Sequence, residues 1–243
     1  MNELHRHGNF SSSEIWKLTK SDRSGNGFGA PALTYIEEKQ MERRLGRGLS
    51  SDTNSKPTNW GTVVEQFAFN KLGLEFSIVS KDRLQHPKIK NWVGVPDLIS
   101  EKKVGDIKCP FTLKSFCKLA DIIKTGDPKA LKDNDGAYDD GFKYYWQLVS
   151  NSILTGLDVA VLAVYCPYKS DLDKIREYAC SEFEGDINKA AFINWATDDE
   201  LPWLLDNGYY KDINVLEFEV PKEDKEYLTE RVLKANELLT TKS

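Results

Sequence analysis

Two short apolar segments, Val95-Pro96-Asp97-Leu98-Ile99 and Val104-Gly105-Asp106-Ile107-Lys108, flank the polar stretch Glu101-Lys102-Lys103. Each segment reads as a strand and the stretch between them as a turn, so the three together predict a hairpin. A turn centred on Glu101 and Lys102 sets Asp97 opposite Asp106. Side chains two apart in a strand point the same way, so Lys108 shares a face with Asp106. Two carboxylates and an amine then converge at the edge of a hairpin that is otherwise apolar and has to be buried.

That convergence carries chemistry. Carboxylate oxygens suit Mg²⁺ or Mn²⁺, hard cations that keep several waters and bind through one or two carboxylates plus a substrate phosphate. Such an ion polarises a phosphodiester, and a strongly acidic one lowers the pKa of a water from ~16 towards neutrality. The Lys108 ammonium can orient that water or offset charge on the phosphate. The same residues also fit a surface hairpin with an ion pair, and a match this short does not separate the two readings.

Asn59 to Leu72 (NWGTVVEQFAFNKL) predicts a helix with Asn59 as N-cap, an apolar set of Val63, Val64, Phe67, Ala68 and Phe69, and Gly73 as its stop. Glu65 falls near the edge of the buried side, as a boundary residue or a further metal ligand. Near the N-terminus, Ser11 and Glu14 fit a capping box before the apolar Ile15, Trp16 and Leu18. A helix N-terminus is a ready anion site, though a well-capped helix explains the same residues.

Trp60-Gly61-x-x-x-Glu65, Gly105-Asp106-Ile107-Lys108-Cys109-Pro110-Phe111-Thr112 and Tyr144-x-x-Gln147, in this order, resemble the phage lambda type exonucleases of the PD-(D/E)xK nuclease superfamily. The likeness begins near Arg6 and Ser12-Ser13-Glu14, takes in Arg23-Ser24-Gly25, and ends with a strand at Val159 to Tyr165 and a helix at Lys222 to Leu239. It implies an α/β fold with a restriction-endonuclease-like core, a mixed central sheet flanked by helices. Asp97, Asp106, the main-chain carbonyl of Ile107 and Glu65 would hold Mg²⁺ (or Mn²⁺), two ions per site. Lys108 would orient the attacking water, and Gln147, on a helix from about Phe142 to Leu154, would stand at the rim. Arg6, Ser13 and Lys56 match positions that grip a 5′-phosphate, and Arg23 one that reaches the duplex groove. Two positions depart from the pattern. Asp106 replaces the usual Glu, and Gly27 stands where a basic residue is expected, which weakens the phosphate grip or passes it to Lys20 or another cation.

The resemblance further implies a 5′-to-3′ exonuclease acting on double-stranded DNA ends, a homotrimeric ring around the duplex, and a single-strand annealing protein as partner in recombination. Two rivals stand beside it: an endonuclease of the same superfamily, and a DNA-end-binding module without activity.

Charge is unevenly spread. Residues 1–120 carry 19 Lys/Arg against 13 Asp/Glu, and residues 121–243 carry 14 against 25, for a total of −5. The sequence pI of about 5.4 argues against a protein that coats DNA by bulk charge, while allowing a local basic track. Arg43, Arg44 and Arg47, with the loop from Gly46 to Asn59, are candidates for it, or a solvated helix end. With 40% hydrophobic residues, the 243-residue chain suits one domain over 1–243, with an insertion at about 180–212 whose Trp195 and Trp203 suggest packing or a subunit contact. Gly126 to Gly141 reads as a surface loop. No apolar run is long enough to cross a membrane, and the polar start Met1 to Gly8 does not read as a signal peptide. Four cysteines without a Cys-x-x-Cys pair, and three histidines, argue against structural zinc and fit a cytoplasmic location.

Overall fold

The computed structural model describes residues 7–49, 55–72, 76–78, 83–136, 140–183 and 187–241. Its centre is a five-stranded mixed sheet. The strands are β2 (Ser77–Ile78), β5 (Leu98–Ile99), β6 (Lys103–Lys108), β7 (Val159–Tyr165) and β8 (Ile213–Glu219), in that spatial order. Among the described residues of this sheet, only the β6–β7 pair is parallel. A second sheet, β1 (Phe10–Ser11), β4 (Trp92–Gly94) and β3 (Leu84–Gln85), brings the N-terminal segment alongside. The architecture is therefore the expected mixed sheet flanked by helices, with a small additional sheet that local pattern did not announce.

Strand β7 shows why helices cover both faces. Ala160, Leu162 and Val164 belong to one apolar cluster and Val161, Ala163 and Tyr165 to the other. A strand apolar at every position has to be buried on both sides. On one face lies α5 (Gly141–Thr155), which contributes Tyr145, Trp146, Leu148 and Val149. On the other lies α2 (Lys56–Lys71), which contributes Trp60, Val63, Val64 and Ala68. At Gly105 a Cβ would come within 2.4 Å of the Val161 carbonyl oxygen, so the close β6–β7 approach needs glycine there.

Several boundaries differ from the sequence reading. Helix α2 starts before Asn59: Ser55 caps it by accepting from the Thr58 N–H at 3.4 Å, with Pro57 in the first turn. Proline suits that turn because its missing N–H is one the helix does not use. Gly73 lies outside the described residues. The Ser11–Glu14 capping box does not form. Ser11 closes β1, the following Ser12–Thr19 segment is a 3-10 helix, and Glu14 pairs with Lys17 at 2.7 Å instead. The Gly126–Gly141 loop contains a short helix, α4 (Pro128–Lys132), whose Leu131 is buried. Within 180–212, Trp203 packs against the core while Trp195 is 83% exposed.

The C-terminal helix α8 (Lys222–Thr241) ties down the N-terminal segment. Arg231 on α8 donates to the carbonyls of Leu18 at 2.7 Å, Lys20 at 3.0 Å and Gly27 at 3.2 Å. This fork fixes the loop that carries Arg23, and with it the C-terminal end of the 3-10 helix. Among the described residues no helix is long and apolar enough to cross a membrane.

Candidate active site

The β5–β6 ladder pairs Leu98 with Gly105 and Ile99 with Val104, a register that continues to set Asp97 opposite Asp106. The Ser100 N–H bonds to the Lys103 carbonyl around a Glu101–Lys102 turn. The hairpin thus has the register its alternation predicts. The Asp97 carboxylate accepts the Ile107 N–H at 2.9 Å, which locks one acid onto the strand that carries the other.

Asp106 is 1% exposed. Its Oδ1 accepts from Gln147 Nε2 at 2.8 Å and its Oδ2 from Asn151 Nδ2 at 2.6 Å, both on α5. Residues four apart on a helix lie on one face, which is why one helix can reach both oxygens. Lys108 Nζ stands 3.6 Å from Oδ1. Burial, the first cause, together with the neighbouring Asp97, pushes the Asp106 carboxyl up to about 7 despite the Lys108 ammonium. Burial alone would pull Lys108 down, but Asp106, then Asp97, Tyr144 and Glu65, outweigh it and raise its pKa. The ammonium also lies 5.2 Å from the centre of the Tyr144 ring, whose face attracts a cation.

Lys108 and Tyr144 border a cleft of about 430 Å³, whose lining does not include Asp97 or Asp106. Glu65, Gly61 and Thr58 of α2 line one wall, and Ile107, Lys108, Phe111 and Tyr144 are among the residues facing them. Glu65 is exposed rather than at a buried edge, and the solvent it meets is that of the cleft. Its field reaches both Lys108 and Cys109. Glu65, Asp97, Asp106 and Lys108 therefore share one neighbourhood.

The donor chemistry fits a hard divalent cation. Two carboxylates side by side, one of them buried, gain from a positive charge between them. Among the described residues no group of three His, Cys, Asp or Glu side chains is arranged to hold an ion. A two-carboxylate site suits Mg²⁺, which fills its remaining positions with water and phosphate.

Gln147 connects this site to a smaller pocket of about 150 Å³. It is 8% exposed, not at the rim, and lines that pocket with Ser11, Ser12, Ser13, Arg83 and Gly94. Ser13 lines this polar recess, which Gln147 links to Asp106. Lys56 is not part of this recess. It begins α2 at the other side of the large cleft, near enough to Glu200 to lower that carboxyl's pKa, after the larger effect of the Thr197 hydrogen bonds. Arg23 lies exposed in the loop closed by the Ser21–Phe28 bridge. Arg6 lies outside the described residues.

The compensation expected for Gly27 is not available from Lys20 alone, because its ammonium pairs with Asp135 and sits 3.9 Å from the centre of the Phe142 ring. A Cβ at Gly27 would meet Asp22 Oδ2 at 2.3 Å. Of the arginine cluster, Arg43 is structural, donating to the Gly8 carbonyl at 2.8 Å, while Arg44 and Arg47 are exposed.

Sequence reading missed Arg83 and Asn151. Asn151 lies four residues beyond Gln147, a helical spacing that would have put it on the same face. Nothing local marks Arg83, which reaches the recess only through the small sheet.

The fold matches solved structures over nearly its whole length. It is similar to the alkaline exonuclease LHK-Exo of Laribacter hongkongensis in complex with dAMP, with a TM-score of 0.60 and 17% identity over 98% of this chain and 91% of that one. A phage-related exonuclease of Haemophilus somnus 129PT gives a TM-score of 0.59 and 17% identity over 100% of both chains. No protein-family model matches the sequence, and no curated protein does. At this identity the likeness establishes the fold, which is the restriction-endonuclease-like arrangement of a mixed sheet between helices.

Proposed function

We propose that this chain is a Mg²⁺-dependent exonuclease that degrades the 5′-ended strand of duplex DNA from an end and leaves a 3′ single-stranded tail for recombination. The observation that carries the reading is Asp97 opposite Asp106, with Lys108 on the same strand face and bordering the cleft, in a fold similar to that of alkaline and phage-related exonucleases. Asp97 and Asp106 would hold the ion, with the Ile107 carbonyl beside them and Glu65 across the cleft. When bound, the ion supplies positive charge to the phosphate oxygens and acidity to a water.

The chain's own groups divide the remaining work. Lys108 stays protonated because its pKa is raised, so it donates a hydrogen bond to the attacking water or a phosphate oxygen and does not act as a base. Glu65, which lines the cleft, would complete the metal shell or take a proton from that water. Gln147 fixes Asp106 and borders the recess where Ser13 and Arg83 would receive the terminal 5′-phosphate. Arg6, Arg23 and Lys56 would add positive charge along the DNA path.

By the same reading three copies form a ring around the duplex, and enclosure keeps the enzyme on its strand between cycles. The exposed side chains of Trp195, Leu205 and Tyr209 supply apolar surface of the kind a subunit contact covers. A single-strand annealing protein would take up the 3′ tail. Digestion of linear against covalently closed circular duplex tests the class: linear DNA is consumed, circles persist, and EDTA stops the reaction. Cutting of circles would favour an endonuclease. Sedimentation showing only monomer at working concentration would defeat the ring.

A further inference from the structure

We propose that Asn151 is a positioning residue for Asp106, holding the buried carboxylate in the orientation that a divalent cation requires. The inference rests on the metal-dependent reading of the site. Asn151 is fully buried, and its Nδ2 donates to Asp106 Oδ2 at 2.6 Å. Gln147, one turn earlier on α5, takes Oδ1 at 2.8 Å. An aspartate has two rotatable side-chain bonds, and a donor on each oxygen from one rigid helix removes both freedoms. The remaining acceptor directions of the two oxygens are thereby set.

The other end of the Asn151 amide shows that this contact is selected by the carboxylate. Its Oδ1 is buried and has no hydrogen-bond partner. A buried unpaired carbonyl costs free energy, and a leucine of similar size would avoid that cost. The amide is therefore kept for what its nitrogen does. The backbone around it is shaped to admit it: a Cβ on Gly94 would lie 3.1 Å from Oδ1, 2.7 Å from Leu154 Cδ1 and 2.2 Å from Ser12 Oγ.

Helix α5 is itself anchored on the residue before. Trp92 Nε1 donates to Ser150 Oγ at 2.8 Å, and Ser150 Oγ and Ser12 Oγ share a hydrogen bond of 2.8 Å. Asn151 thus acts from a helix turn pinned to the serine segment that borders the phosphate recess. Partners that orient a metal-binding side chain in this way typically govern affinity or activity by 10–100-fold.

The test compares wild type with Asn151→Leu. Mn²⁺ binding to the DNA-free protein is measured by calorimetry, alongside kcat, KM for linear duplex, and the thermal midpoint without metal. The expected result is Mn²⁺ affinity and kcat each weakened about 10-fold or more, and KM for DNA little changed; relief of the unpaired Oδ1 and loss of the donor to Asp106 Oδ2 oppose each other in the midpoint. Asn151→Gln, an amide with one more methylene, should recover part of the Mn²⁺ affinity. Should Asn151→Leu not fold, Asn151→Ser carries the same expectation for Mn²⁺ and kcat. A variant with a lowered midpoint but wild-type Mn²⁺ affinity and kcat would show Asn151 to be structural only and overturn the inference. A wild type that neither binds Mn²⁺ nor degrades DNA would overturn the metal-dependent reading itself, and the inference with it.

Discussion

Lys108 Nζ stands 3.6 Å from Asp106 Oδ1, on a strand whose neighbouring acid, Asp97, is itself tied to the Ile107 N–H at 2.9 Å. The amine is held charged by the acids it serves. Lys108→Ala is therefore expected to lower single-turnover hydrolysis by about 10²–10⁴-fold, the range of a positioned proton-handling group. DNA affinity measured by fluorescence anisotropy should change little, because one half-buried ammonium is a small part of a phosphate-binding track. Near-normal digestion by this variant would remove Lys108 from the chemistry.

Asp106→Asn separates function from stability. Hydrolysis should fall by at least about 10²-fold, since the ion loses an anionic ligand. The unfolding free energy of the metal-free protein, read from urea titration, should stay within about 1 kcal/mol of wild type or rise. The new amide can be accommodated because Asn151 Oδ1, unpaired in the wild type, can turn to accept from it. A collapse of the fold in this variant would mean that the charge is structural.

The recess beside Gln147 predicts a substrate preference. Arg83→Ala should reduce the rate advantage of 5′-phosphorylated over 5′-hydroxyl ends by about 10-fold, as loss of a charged hydrogen bond of about 1.5 kcal/mol implies. Ser13→Ala should act in the same direction and more weakly. Equal losses on both kinds of end would place the phosphate elsewhere.

Away from the site, Glu42 gives a pH signature. Burial pushes its carboxyl up, but the Gly8 N–H at 2.8 Å and the Lys39 ammonium at 2.9 Å outweigh burial and hold it below 4.5. A depressed folded pKa stabilises the protein above the unfolded value, and that stability is lost as pH falls through the folded value. Glu42→Gln should cost about 1–2 kcal/mol at pH 7, and the gap from wild type should close in acid. Urea unfolding between pH 7 and pH 3 reads both; a gap independent of pH would contradict the assignment.

The hairpin was legible because strand alternation and a two-residue turn leave one register that buries the apolar side chains. Helix α5 and strand β7 came from the family resemblance, since β7 is apolar at every position and offers no alternation to read. The start of α2 was misplaced because Asn59 and Ser55 are both good caps, and Pro57 decides between them. The serine segment was misjudged because strand pairing with Val93 takes Ser11 before it can cap. Arg83 joins Ser13 only through β3 and β4, a contact between segments far apart in sequence. Such meetings are tertiary, and no local pattern records them.

The central claim is that Asp97, Asp106 and Lys108 form a cation-dependent site that consumes one strand from a DNA end. Linear duplexes labelled separately at each 5′ and each 3′ end, digested with Mg²⁺ and with EDTA, test it most directly. Early release of 5′ label as mononucleotide, retention of 3′ label in long single strands, and no release in EDTA is the predicted result. Release of 3′ label first, or digestion that continues unchanged in EDTA, would contradict it.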